Sequence, residues 1–260
     1  MKLSELRVFA MLLYHDVYIF RHVVLGRFIN ICVWATVNTV IANYVFPELG
    51  MPRQFGVFFL AGLFASIGFF ELYGKVAELV RDMTGDRPLL YYATLPLSLP
   101  LFVLRLVMSG ALTSTIVGLV ILPVGKLLLG NGLDLSAIRW GYLSCMIVLA
   151  NILYAAAAVL IATFIHRLEN INNVWIRVAY PVWFMGCYQF SYQALKNALP
   201  NVAFINLLNP AVYVVEGVRA ALIGQEGFLP IELCCGVVAS AAVIFIVASI
   251  ISLRARLDLV

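Results

Sequence analysis

Apolar residues in this chain fall in long blocks, with polar residues gathered between them. Six blocks approach or reach the length of a membrane crossing, at roughly 28–46, 55–74, 101–124, 140–164, 176–192 and 231–252. A spanning helix needs about 20 largely apolar residues. Backbone in lipid must satisfy its own hydrogen bonds, and ten-residue alternating stretches of the barrel type do not occur, so the blocks predict an all-α integral membrane protein with six transmembrane helices. Two segments break the pattern. In residues 1–27, Leu3, Leu6, Ala10, Leu13 and Val17 recur at spacings of three and four. This predicts an N-terminal amphipathic helix on the membrane surface, or equally a lead-in to the first span. It has neither the unbroken apolar run nor the cleavage site of a signal peptide.

The second exception is residues 193–230, semi-hydrophobic and far longer than the other connections on that side. Within it, NPAVYVVEGVRAALIG has Asn209 as a helix cap, Pro210 at the first helical position and Gly224 as a stop. The helix so marked is too short and too polar to span. The preceding SYQALKNALPNVAFINLL reads as another short helix interrupted at Pro200. Together they predict a re-entrant outer hairpin before the last span. Ala211, Val215, Val218 and Leu222 form one apolar stripe, and Glu216 and Arg219 form an i,i+3 pair. Two readings stay open: a surface helix carrying a solvated ion pair, or a lid over an exit.

On the opposite side, residues 75–100 continue the second span and then turn. Glu71, Lys75 and Glu78 share a stripe, Thr84 or Asp86 can cap the next helix, and LLYYATL makes that short surface helix, which Pro96 ends. Tyr91 and Tyr92 are its anchors, either for docking or for the interface. The fifth block carries Tyr180, Trp183, Phe184 and Tyr188, which suit packing or a partly wet, partly apolar path.

Composition agrees with the blocks. At 63% hydrophobic and 12% charged, the chain is a single membrane domain over 1–260 with no room for a second soluble one. Lys and Arg favour the loops on the side of the two chain ends, which predicts cytoplasmic termini. The small positive charge follows from loop placement and does not suggest nucleic acid. Cys32, Cys145, Cys187, Cys234 and Cys235 lie in apolar segments without metal-like spacing. His15, His22 and His166 form no catalytic or metal-binding motif with acids, so the chain reads as a non-enzyme with no metal or cofactor of its own.

The run N-P-x-x-Y-x-x-E-G-x-R, at Asn209, Pro210, Tyr213, Glu216 and Arg219, resembles the transmembrane subunit of ABC-2 type exporters. That family includes polysaccharide, lipo-oligosaccharide and drug-efflux permeases. Its inner loop usually reads acid, Gly-Thr, a Leu pair and Pro. Here RDMTGDRPLLYYATLP offers Asp82, Thr84–Gly85 in reversed order, Leu89–Leu90 and Pro96 at slightly longer spacing. As topology the resemblance covers nearly the whole chain; as motif it covers these two stretches.

The resemblance implies a permease in a bacterial inner membrane, paired with a second copy and with a separate nucleotide-binding ATPase that carries ATP and Mg. The chain itself has no GxxxxGK[ST] phosphate cradle. Arg81, Asp82, Thr84, Gly85, Arg87, Leu89, Tyr91, Tyr92 and Pro96 would belong to the segment that couples to the ATPase. Asn209, Pro210, Tyr213, Glu216 and Arg219 would form an outer gate, and Tyr180, Trp183, Phe184 and Tyr188 a possible substrate path among membrane lipids. An amphipathic cargo is favoured, such as a lipid-linked glycan, polysaccharide or lipid, with a drug-like hydrophobe close behind. A secondary transporter and a membrane-embedded transferase are the alternatives.

Overall fold

The computed structural model describes residues 3–52, 55–84 and 96–258, and the regular structure among them is helical throughout. Five helical runs are long and apolar enough to cross a membrane: Glu5–Glu48, Phe55–Thr84, Leu99–Gly132, Trp140–Phe164 and Ile231–Arg256. The chain is therefore a helical membrane protein.

The first run comprises α1 (Leu3–Val40), a π-helical turn at Ile41–Val45 and a last turn at Phe46–Glu48. Residues 3–40 form one helix, so the N-terminal segment continues into the first long run without a break. A lone Gly26 is tolerated inside a helix, and the exposed positions mix apolar Met11, Tyr14, Ile19, Val23 and Leu25 with Arg7, His15, Arg21 and His22. The second run joins α2 (Phe55–Ala65) and α3 (Ile67–Thr84) across Ser66, and the third joins α4 (Leu99–Gly118) and α5 (Ile121–Leu129).

The fourth run, α6 (Trp140–Phe164), is the centre of the bundle, packed by α3, α4 and the last helix, α12 (Ile231–Asp258). Its AAAAVLIA stretch presents small side chains, which let neighbouring backbones approach where lipid offers no hydrophobic drive for association. Helix α1 packs along α4, α5 and α2 on the bundle's outside.

α6 and α12 run parallel. Tyr142 Oη donates to Glu232 Oε1 at 3.0 Å near one end, and Arg256 Nη1 donates to the Ala162 and Ile165 carbonyls at 2.7 and 2.9 Å near the other. The chain between them must therefore return through the full thickness of the bundle. It does not do so as the single helix predicted at 176–192. Helix α7 (Asn170–Val174), a π turn at Trp175–Ala179 and α8 (Tyr180–Met185) form one run that ends at Gly186, where Cys187 takes a φ of 66°. This run is about 24 Å long, short of the roughly 30 Å hydrocarbon core.

Two short helices come next, α9 (Tyr192–Ala198) and α10 (Pro200–Asn206), and then α11 (Pro210–Leu222), bent 96° from α10. Helix α11 starts where α8 ends, since Asn209 Nδ2 donates to the Val182 carbonyl at 2.7 Å. It finishes beside the start of α6, where the Arg139 N–H donates to the Ala221 carbonyl at 2.9 Å. The return is thus divided between α7–α8 and α11.

Candidate functional site

A helix that stops inside an apolar bundle leaves carbonyls without partners, and lipid supplies none. At the end of α8 the partners come from α10, α11 and the link between them. Asn206 Nδ2 donates to the Met185 carbonyl at 2.6 Å, and Asn209 covers Val182 as described. Arg219 does most: Nη1 donates to the Cys187 and Phe190 carbonyls at 2.7 and 2.8 Å, and Nη2 to Tyr188 at 2.7 Å. Its guanidinium lies over the Phe58 ring, 3.5 Å from the centroid. Five donors in a rigid plane make Arg the side chain suited to several carbonyls at once.

Glu216, one turn earlier, lies 3.7 Å from Arg219. Its two oxygens accept the Tyr192 N–H at 3.0 Å and the Leu229 N–H at 3.3 Å. The pair therefore holds three loop segments: the end of α8, the start of α9 and the approach to α12. Both residues are 0% exposed, which overturns the solvated ion pair. The single apolar stripe is also corrected, because Ala211 to Leu222 are buried on every face. The local rules hold at the ends: Asn209 Oδ1 accepts the Ala211 N–H at 3.0 Å, Pro210 takes the first turn, and Gly224 has a φ of 126°.

Gly62 of α2 is what lets this clasp close. A Cβ there would stand 2.8 Å from the Tyr188 carbonyl oxygen and 3.3 Å from Arg219 Nη2. Of the five residues predicted as an outer gate, Tyr213, Glu216 and Arg219 are buried, and Asn209 and Pro210 are half-buried at the start of α11. The aromatic residues of the fifth block separate. Trp183 and Tyr188 are core, their rings 4.3 Å apart, with Trp183 Nε1 donating to Ser66 Oγ at 2.8 Å; Tyr180 and Phe184 face outward.

The chain matches no family model and no curated protein.

At the far end of α3, Arg81 is exposed, Asp82 half-buried, and Thr84 Oγ1 donates to the Val80 carbonyl at 2.8 Å. Pro96 is exposed just before α4. Gly85, Arg87, Leu89, Tyr91 and Tyr92 lie outside the described residues. Among the described residues, no three His, Cys, Asp or Glu side chains converge as a metal site.

A second polar assembly was not anticipated. A cleft of about 300 Å³ lies between α1, α3, α4 and α6. On one side Arg27 Nη1 meets Glu71 Oε2 at 2.5 Å, so Glu71 pairs across helices and not along its own stripe with Lys75. Lys75 pairs with Glu78 at 3.2 Å, and Arg105 grips both oxygens of Asp16 at 2.5 and 3.0 Å. Gly68 lets α3 approach α6: a Cβ there would come within 2.5 Å of Asn151 Oδ1 and 2.9 Å of the Tyr154 ring. Arg105, an ionisable residue inside a predicted span, was the available signal, since such residues are rare and usually paired.

Proposed function

We propose that the chain is the transmembrane permease subunit of an ATP-driven ABC exporter that moves an amphipathic cargo outward, a lipid-linked glycan, polysaccharide or lipid being favoured over a drug-like hydrophobe. The observation that carries this reading is the place of the N-P-x-x-Y-x-x-E-G-x-R run. It forms the second half of a divided return just before the last long helix, and its charged residues hold that division together. Five long helices and the divided return together make six crossings, with residues 193–230 as the re-entrant outer hairpin, its second arm α11, and both chain ends on the cytoplasmic face of a bacterial inner membrane.

In this reading two copies of the permease pair with two ATPase subunits, which carry the ATP and Mg. Residues 75–100 are the coupling segment, and closure of the ATPases moves α3 and α4 through it. Such a change is a shift between packed arrangements rather than chemistry in the membrane. The outer gate works by repositioning α11 against α8, so that Arg219 exchanges its carbonyl partners. Secondary transport is the second reading, favoured by the divided return itself and by Glu71 inside a polar cleft, both of which ion-coupled carriers use.

One experiment separates them. The chain is purified gently from its host after cross-linking, and its companions are identified by mass spectrometry. A stoichiometric P-loop ATPase, released by Arg81→Glu with Arg87→Glu or by Tyr91→Ala with Tyr92→Ala, supports the exporter. If no ATPase accompanies it, and an ion gradient alone drives uptake into proteoliposomes, the exporter reading fails.

A further inference from the structure

We propose that the cleft between α1 and α3 binds the neutral, polyhydroxylated headgroup of a membrane glycolipid. The inference needs only residence in a membrane and does not rest on the exporter reading.

The cleft has the form of a side-entry site. Helix α1 meets α3 where the Trp34 and Phe70 rings lie 4.4 Å apart and where Arg27 pairs with Glu71. Asp16 and Phe20 of α1 and Glu71, Lys75 and Glu78 of α3 line the cleft. Ile19 and Val23 stand at the α1 wall, about half exposed, and offer acyl chains an apolar surface beside the polar interior. The volume of about 300 Å³ is at the lower end of the range for small-ligand sites. That size suits a headgroup whose tails stay in lipid.

Charge decides between headgroups. The three acids Asp16, Glu71 and Glu78 are matched by Arg105, Arg27 and Lys75, each in an ion pair. An anionic or cationic headgroup would have to displace one of these partners, leaving a charge uncompensated, most costly at the largely buried Arg105–Asp16 pair. A neutral polyol need break none. It can donate to the remaining carboxylate lone pairs of Glu71 and Glu78 and accept from the other N–H groups of Arg27 and Lys75, as the donor and acceptor inventory of these side chains allows.

Deeper in, Tyr154 lines the cleft with its hydroxyl buried and without a hydrogen-bond partner, and Ser109 and Ser114 are buried beside it. A buried hydroxyl with no partner costs free energy, and a ligand hydroxyl removes that cost. The buried Phe20 ring adds an apolar wall for the C–H face of a sugar.

The test uses the purified chain in nanodiscs of phosphatidylcholine carrying equal small fractions of monoglucosyl-diacylglycerol, phosphatidylethanolamine and phosphatidylglycerol. Retained lipid is read by native mass spectrometry. The glucosyl lipid is expected to exceed each of the others about tenfold, the ratio that 1.4 kcal/mol provides. Tyr154→Phe should lower its retention about fivefold, the worth of one hydrogen bond, while thermal unfolding of the variant in nanodiscs of phosphatidylcholine alone stays at or above wild type. Glu71→Gln leaves Arg27 unpaired and should turn the preference to phosphatidylglycerol. Equal or greater retention of either phospholipid by the wild type overturns the proposal. So does glucosyl-lipid retention that neither variant changes.

Discussion

Replacing Arg219 by alanine removes the short bonds to three carbonyls, those of Cys187, Tyr188 and Phe190, with a longer one to Phe58, and leaves Glu216 as a buried charge without its cation. A lower bound comes from hydrogen bonds between membrane helices, which average about 0.6 kcal/mol each; three of them give roughly 2 kcal/mol. An upper figure comes from breaking a fully buried ion pair, about 3–5 kcal/mol. The geometry favours the upper one. The bonds are 2.7–2.8 Å long, the side chain is 0% exposed, and its acceptors lie at an interruption in helix, where they have no other donor to turn to. The expected loss is therefore about 4 kcal/mol, a large part of the roughly 5–15 kcal/mol that holds a domain together.

The assay is SDS titration of the purified protein in mixed micelles, monitored by tryptophan fluorescence, since Trp183 packs against Tyr188 at the clasp. Arg219→Lys keeps the charge but loses the planar fork, so it should fall between wild type and alanine. A double-mutant cycle with Glu216→Gln should show coupling above about 1 kcal/mol, because the two residues share one network. If Arg219→Ala unfolds within about 0.5 kcal/mol of wild type, the scale of an ordinary surface substitution, the clasp is not what closes the end of α8. A residue acting solely as a gate would alter transport and leave this curve in place.

Two further substitutions probe the same clasp and its exposed counterpart. Gly62→Ala should cost about 1–3 kcal/mol, as overpacking does, because the new methyl meets the Tyr188 carbonyl at 2.8 Å and backbone cannot swing aside; unfolding like wild type would show that the approach is not tight. Arg256→Ala also strips one arginine from three carbonyls, those of Ala162, Thr163 and Ile165, but Arg256 is only half-buried. Water can replace its bonds, so the loss should be about 1 kcal/mol. A cost equal to that of Arg219→Ala would refute burial as the source of the difference.

The five long helices were legible because a crossing is a property of contiguous residues, and hydropathy along a window reads it directly. The ends of α11 were legible for the same reason: Asn209, Pro210 and Gly224 act within a turn of where they stand. The break in the fifth block was not. VAYPVWFMGCYQFSY is uncharged and mostly apolar, and a window over it sees one span. Gly186 permits the stop but does not demand one. What makes the stop tolerable is the donor set of Asn206, Asn209 and Arg219, some twenty to thirty residues further on. No local rule connects a carbonyl to a donor at that distance.

Glu216 and Arg219 hide their role in the sequence for a related reason. At i,i+3 on a short helix, a charged pair looks like a solvated face, because the default partner of a surface charge is water. In lipid that default fails, and the first question becomes which backbone groups lack partners. Residues 186–191 form no regular helix, so their carbonyls need outside donors, and Arg219 stands where one side chain can reach several of them. The cleft obeys the same logic in reverse. Arg27, Glu71, Asp16 and Arg105 are scattered over the first 105 residues and look like span-end charges, yet packing α1 against α4 and beside α3 brings them into pairs. In both places the polar residues of a membrane chain became intelligible only once the helices were set side by side, since their partners are fixed by adjacency in the bundle and not by spacing along the chain.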